Sequence, residues 1–346
     1  MRPRNRSRRS ETAPACRGLS LVELLVATLL GLLLSAGMVS LYLESRRQYF
    51  HDEQLARLQE NGRYALNLLS RELAMTGFFG GVLNPVEIPP LAVGRDCAAT
   101  HWALNGAVDL DMVNDYTQAS TASVVTTGGA LLTCLDAGSI ATATDALLVK
   151  RTAAEASLHA GMASDYLTSS RTPRWYLQLQ RDTRPQWRKL APLTLLAQAS
   201  EDTESSYWEA VARIFYIRNY SDPDNPADGL STLCMESLVN DAMTTRCLVE
   251  GVENMQLELG IDTDGDGTAN RYTASPEAAE IGLAVSARVS LLVRSIQPVA
   301  GHRDTREYRV GALVLPARHD AFMRRVFTTT VHLRNGIWPI SPGDLS

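Results

Sequence analysis

No Cys-x-x-Cys pair occurs in this chain, and its six histidines include no His-x-x-x-His pair. The first absence argues against a redox dithiol or a zinc knuckle, the second against a helical zinc site. Gly-x-Ser-x-Gly, a Walker loop and Gly-x-Gly-x-x-Gly are missing as well, so no local sign of an acyl-transfer nucleophile, a phosphate cradle or a dinucleotide site exists. Enzyme activity is not expected. A basic stripe is lacking too: 33 Lys and Arg stand against 38 Asp and Glu, a net charge of −5, which argues against general nucleic-acid binding. There are no internal repeats. The five tryptophans, Trp102, Trp175, Trp187, Trp208 and Trp338, read as core or edge aromatics rather than a ligand platform.

What is present is concentrated at the N-terminus. Residues 1–18 carry Arg2, Arg4, Arg6, Arg8, Arg9 and Arg17 against one acid, Glu11, and end in Gly18. Without this head and its net +5, the remainder stands at −10. An apolar run, Leu19–Leu43, follows and carries a single charge, Glu23. As a helix it rises about 37 Å, enough to cross a hydrocarbon core of about 30 Å with some tilt. The Arg cluster places the head in the cytoplasm and sends the rest outward. A secretory signal peptide fits poorly, because the run is long and no A-x-A-like site follows it. A plain anchor fits the hydrophobicity, with Glu23 complementing the positive helix N-terminus. A carboxylate kept in a membrane-length run points to a function, since it is costly there.

The helix is expected to continue. Glu44–Thr76 has no Pro, and its one Gly is Gly62. Leu55, Leu58, Gly62, Leu66, Leu69 and Leu73 recur at spacings of three and four, an apolar stripe. Gly77 is a C-terminal stop. One helix of about 55 residues is predicted, with Gly31 and Gly37 as places where it could bend. Beyond Gly81 the chain reads as strands: Ala146–Lys150, Trp175–Gln180, Val211–Ile217, Leu283–Val293, Val310–Leu315 and Val326–Leu333. Met255, Leu257, Leu259 and Ile261 alternate with Asn254, Gln256, Glu258 and Gly260, as in a half-buried strand. The segment Thr117–Thr144 reads as a surface elaboration. The expected class is α+β, a long N-terminal helix packed on an antiparallel sheet. The division is residues 1–18 as a leader, 19–43 in the membrane, 44–77 as the amphipathic half of the helix, and 78–346 as a β-rich head.

Cys16 lies in the head of the chain, leaving Cys97, Cys134, Cys234 and Cys247. An even number suits an oxidising compartment, and four cysteines allow three pairings. Cys97–Cys134 and Cys234–Cys247 are favoured because each joins residues near in sequence; buried free thiols are the alternative. Asp262-Thr263-Asp264-Gly265-Asp266-Gly267 sets carboxylates at alternate positions, and this spacing wraps three carboxylates around one Ca²⁺. Asn270 falls at the ninth loop position, but the twelfth is Thr273 rather than Glu. Glu277 and Glu280 are the nearby acids that could close the shell. No cofactor is required; Ca²⁺ is the one candidate, and a solvated acidic turn is the alternative.

Gly18-Leu19-Ser20-Leu21-Val22-Glu23 resembles the processing signal of type IV prepilins and type II secretion pseudopilins. The resemblance implies cleavage after Gly18 by prepilin peptidase and methylation of the new amine at Leu19, where the commonest residue is Phe. It makes Glu23 the fifth mature residue, paired with the N-terminal amine of a neighbouring subunit. The closest resemblance is to PilW-type minor pilins. It rests on Asn61–Leu66, Arg71–Leu73 and Gly77-Phe78, on Gly229–Cys234, Val252–Met255 and Gly260–Asp262, and on Val289–Arg294, Arg324–Val331 and Arg334-Asn335. Gly80-Gly81 stands where that family often has Gly-Cys. The resemblance implies a pilin-like fold and a minor pilin in pilus initiation or at the fibre tip. Its partners would be other minor pilins, the major pilin, the inner-membrane assembly platform and membrane lipid. The chain would be single-pass in the inner membrane, N-terminus cytoplasmic, and then part of the pilus at the cell surface. Alternatives are a type II secretion pseudopilin of the J kind and a tip adhesin whose head binds a ligand.

Overall fold

A computed structural model of the chain describes residues 20–98, 101–117, 124–199 and 201–335. Gly18, Leu19 and Trp338 lie outside the described residues. Contacts divide the chain into two units, residues 1–52 and residues 53–346, and helix α1 (Leu21–Met75) contributes to both.

α1 is a single helix of 55 residues and passes Gly31 and Gly37 without a break. With no Pro to remove a donor and many straight-chain apolar residues, nothing interrupts its hydrogen-bond ladder. It stops at Gly77, which takes φ +79° and donates its N–H to Lys150 O at 3.1 Å. A Cβ there would collide with Asp109 Oδ2, so both conformation and space require glycine.

The buried face of α1 in the second unit is Gln54, Leu58, Gly62, Ala65, Leu69, Glu72 and Leu73. This corrects the expected stripe. Leu55 and Leu66 are half-buried, whereas Gln54, Ala65 and Glu72 face inward. The helix is rotated slightly from the all-leucine seam, and the two polar residues that face inward, Gln54 and Glu72, find partners there.

The strands run in chain order as β1 (Leu110–Val113), β2 (Val124–Val125), β3 (Leu131–Leu132), β4 (Ala146–Thr152), β5 (Leu158–His159), β6 (Met162–Ala163), β7 (Arg174–Gln180) and β8 (Gln186–Leu190). After the short helix α2 (Pro192–Gln198) come β9 (Ser205–Arg218), β10 (Thr232–Val239), β11 (Ala242–Glu250), β12 (Val252–Ile261), β13 (Arg271–Thr273), β14 (Ala284–Arg294), β15 (Tyr308–Val310), β16 (Leu313–Leu315) and β17 (Arg324–His332).

The large sheet has the order β1-β4-β9-β10-β11, and the smaller one β13-β12-β14-β17, all antiparallel. β9 is 14 residues long and serves twice. Its C-terminal half pairs with β4 and β10, and its N-terminal half with β5 and β7. In the smaller sheet Leu292 pairs with Val326, and both pack on the β15–β16 hairpin. Leu291 pairs with Phe327 on the opposite face, where Phe327 meets α1 at Gly62.

Three expectations are corrected. β12 is buried on both faces, not one. Asn254 and Gln256 each donate to Ala143 O, at 2.6 and 3.2 Å, so the polar face is satisfied against the large sheet. Val310–Leu315 is a hairpin turning at Gly311, φ +56°, rather than one strand. The segment Thr117–Thr144 enters the core through Val124, Leu132, Leu135 and Ile140. Its small polar residues masked those four. The strands β1, β8 and β11 were not marked by clear alternation and appear only in the fold, and β10 was marked only at its entry, by the Gly229–Cys234 resemblance.

Asp145 joins the two sheets. Its N–H donates to Met255 O at 2.9 Å, and its carboxylate accepts from Asp115 N at 2.8 Å and Leu257 N at 2.6 Å. Burial pushes this carboxyl up to about 7; the two N–H groups pull it down and the Asp115 charge adds to the rise.

Gly62 tests the docking of α1. Its missing Cβ is the space the Phe327 ring occupies. Gly62→Val is expected to cost about 1–3 kcal/mol in urea unfolding by overpacking. Combining it with Phe327→Leu should recover part of that loss, because a smaller side chain vacates the space.

Candidate functional site

The apolar half of α1 is the first candidate. Leu21, Leu24, Leu29, Leu32, Leu34 and Leu41 are each more than half exposed. This is the one helix among the described residues long and apolar enough to cross a membrane, consistent with a single-pass membrane protein. At its start Ser20 and Glu23 form a reciprocal pair. Ser20 N donates to Glu23 Oε2 at 2.9 Å, and Glu23 N donates to Ser20 Oγ at 3.2 Å. This is a capping box, which satisfies two otherwise orphaned donors. The Ser-x-x-Glu spacing was the signal for it, and the sequence reading passed over it. Oε1 of Glu23 has no hydrogen-bond partner among the described residues.

The second feature is how α1 is fastened to the head. Gln54 Oε1 accepts from Gln297 N at 3.1 Å, and Asn61 Nδ2 donates to Glu250 O at 3.1 Å. Asn335 Nδ2 reaches Ala74 O and Thr76 O, both at 3.3 Å. The attachment with the most partners is Glu72, whose side chain is 6% exposed. Arg151 from β4 holds it with two bonds, Nη2 to Oε1 at 3.1 Å and Nε to Oε2 at 3.2 Å, and Arg213 from β9 donates to Oε1 as well. Sequence reading placed Glu72 in the Arg71–Leu73 resemblance but gave it no buried, ion-paired role. The signal was its spacing of seven from Ala65 and three from Leu69, the periodicity of the buried face.

The third is the smaller sheet. Arg324, buried at the start of β17, meets Glu253 at 2.6 Å, Asp304 at 3.1 Å and Asp320 at 2.6 Å. Tyr308 Oη donates to Asp304 Oδ1 at 2.8 Å. Burial pushes Asp304 up, but Tyr308, the N–H groups of Arg306 and Arg318, and Arg324 outweigh it and hold the carboxyl below the ordinary range. The Arg324 hydrogen bond holds Asp320 low against its burial.

Between β12 and β13 lies the acidic loop. Oxygens of Asp262, Asp264 and Asp266 come within 4.8 Å of one another, the one such group among the described residues. Asp262 accepts from the N–H groups of Asp264, Gly265 and Gly267 at 3.2, 2.7 and 2.8 Å. Burial raises the Asp262 carboxyl, and the N–H groups of Gly267 and Gly265 more than offset this, leaving it below its usual value. Asn270 closes the loop, its Oδ1 accepting from Thr263 N at 2.7 Å and its Nδ2 donating to Asp264 Oδ2 at 3.2 Å. Glu277 and Glu280 are engaged elsewhere. They form the capping box of the turn Ala278–Leu283, and Glu280 also pairs with Arg271. The loop thus brings together Asp262, Asp264, Asp266 and Asn270, and closes through its own hydrogen bonds.

The pattern of the type IV pilus-assembly protein W family, PilW, matches residues 214–335. The match supports a type IV pilus-related protein. It covers about a third of the chain, from the end of β9 through β17, and takes in the acidic loop and the Arg324 cluster. No curated protein and no solved structure matches the chain.

One of the two disulfides lies inside the PilW-matched segment. Cys234 and Cys247 are register partners on β10 and β11, with Cα atoms 3.9 Å apart. Cys97–Cys134 lies outside it, Cα atoms 4.6 Å apart, and ties the loop before β1 to the end of β3. In the chain-entropy account they contribute about 3 and about 4 kcal/mol.

Glu72→Ala leaves Arg151 and Arg213 without their carboxylate, and a loss of about 3 kcal/mol in urea unfolding is expected. Acidity acts with two signs. Asp145, raised in the fold, holds its proton there more tightly than in the unfolded chain, so stability grows as pH falls from above 7 towards about 4. Asp304 and Asp320, lowered in the fold, contribute fully above about pH 4, and that contribution is lost below it. Urea midpoints are expected to rise from pH 8 to pH 5 and fall by pH 3, with the first change smaller in Asp145→Asn, because burial raises the Asp109 and Glu236 carboxyls as well.

Proposed function

We propose that this chain is a minor pilin of the type IV pilus, acting in initiation of assembly or at the fibre tip. The observation that carries the reading is one unbroken 55-residue helix whose first half is exposed and apolar and whose second half is fastened to a head containing the PilW-matched segment. A subunit with that layout works by insertion. The apolar half holds it in the inner membrane, N-terminus cytoplasmic and head periplasmic, until its helix enters a bundle with those of other pilins. Minor pilins associated in this way would form the complex beneath which the assembly platform adds major pilins. Prepilin peptidase would first cut after Gly18, freeing the Leu19 amine for methylation.

Glu23 has two parts to play in this scheme. One oxygen caps Ser20 within the chain, and the other, without a partner among the described residues, would take the N-terminal amine of a neighbouring subunit. The pairing would offset the cost of the carboxylate in lipid and set the axial register between neighbours.

Two experiments test this. Mass and N-terminal analysis of the membrane-extracted protein is expected to give a chain starting at methylated Leu19 only when the peptidase is present; a retained leader would overturn the reading. Glu23→Gln separates cap from charge, because glutamine keeps the capping bond and loses the charge. Piliation is expected to fall in Glu23→Gln as far as in Glu23→Ala. Normal piliation with Glu23→Gln would reduce Glu23 to a helix cap.

A further inference from the structure

The N-terminal half of β9 supports a layer that lies outside the PilW-matched segment. Residues Ser205–Glu209 pair with the β5–β6 hairpin on one side and the β7–β8 hairpin on the other. This layer has a small core of its own, Leu158, Tyr176, Leu195 and Tyr207. A cleft of about 300 Å³ opens in it, at the small end of the range for ligand pockets.

The wall of the cleft carries Glu155, Ser157, Ser164, Tyr166, Arg174 and Glu209. Arg174 and Glu209 form an ion pair, with Nη1 donating to both carboxylate oxygens at 3.0 and 3.1 Å. Their side chains remain 39% and 35% exposed, and Nε and Nη2 of Arg174 have no hydrogen-bond partner among the described residues. Such a pair presents spare donors and spare lone pairs side by side. A hydroxyl group is both donor and acceptor, so adjacent hydroxyls satisfy both halves at once. Tyr166 is 81% exposed, with an open aromatic ring at the same cleft. An exposed ring beside fixed polar groups offers an apolar face and a polar edge. Two carboxylates against one guanidinium disfavour an anionic ligand. We infer that this cleft binds a neutral saccharide, with vicinal hydroxyls on Arg174 and Glu209 and a ring face on Tyr166. The inference goes beyond the assembly role and does not depend on it.

The test uses the full-length protein in a sugar-free detergent, titrated with the methyl glycosides of glucose, galactose, mannose and N-acetylglucosamine and, as an anionic control, methyl glucuronide. Binding is read by saturation-transfer NMR. At least one neutral glycoside is expected to bind with a millimolar Kd, at least tenfold more weakly in both Tyr166→Ala and Glu209→Gln. Tyr166→Ala, at an exposed position, should keep the wild-type unfolding midpoint and normal piliation, so failure of the saccharide site and failure of the pilus reading are told apart. No binding by any neutral glycoside, tighter binding of the glucuronide, or unchanged affinity in Tyr166→Ala would overturn the inference.

Discussion

Glu72 is the constraint on which the placement of the helix depends. A carboxylate taken out of water at a helix–sheet contact must find cations, and Arg151 and Arg213 come from neighbouring strands β4 and β9. Such a cluster is a weak source of net stability, since desolvation offsets most of its attraction. Its consequence is geometric. With Glu72 held, the 3.6-residue period turns Ala65, Leu69 and Leu73 inward and carries Leu58, Gly62 and Gln54 onto the same face. Gly62 then lies under Phe327, Asn61 reaches Glu250, and Gln54 meets Gln297. A single ionic node thereby aligns the helix with the large sheet, and the contacts further along bring in the smaller one.

The two sheets are joined by polar groups rather than by a wholly apolar core. Asp145, Asn254 and Gln256 meet around Ala143, and every one of these buried side chains has a hydrogen-bond partner. Ala143 takes φ +55°, a conformation rare for alanine. A seam of this kind tolerates little sliding, because a shift of one residue would leave several buried donors and acceptors unpaired. Arg324 plays the comparable part at the far edge of the smaller sheet, where it gathers Glu253, Asp304 and Asp320.

The head therefore has two kinds of territory. From the end of β9 to β17 the chain carries the PilW-matched sheet with its ionic clusters and acidic loop. From residue 97 to the start of β9 it carries a disulfide, strands β1 and β4 of the large sheet, and the β5–β6 and β7–β8 hairpins with a separate small core. The first is the part that supports a link to pilus assembly, and the second holds the cleft assigned to a saccharide.

Much of the protein was legible in its sequence, for local reasons. A membrane-length run with one acid, a Pro-free continuation and a glycine stop determine a 55-residue helix through backbone propensity alone. The alternation in Leu283–Val293 marked β14, the β-branched run Val326–Leu333 read as β17, and proximity in sequence pointed to the two disulfides that form. The acidic loop was legible because its ligand-like groups are contiguous. Tertiary structure alone decided the rest. The inward turn of Gln54 and Glu72, the burial of both faces of β12, and the core role of Val124 and Leu132 depend on partners far away in sequence. Hydrophobic periodicity shows which face is apolar. It carries no information about a distant arginine or carbonyl that makes a polar residue stable inside, and that pairing decided how this helix and these sheets meet.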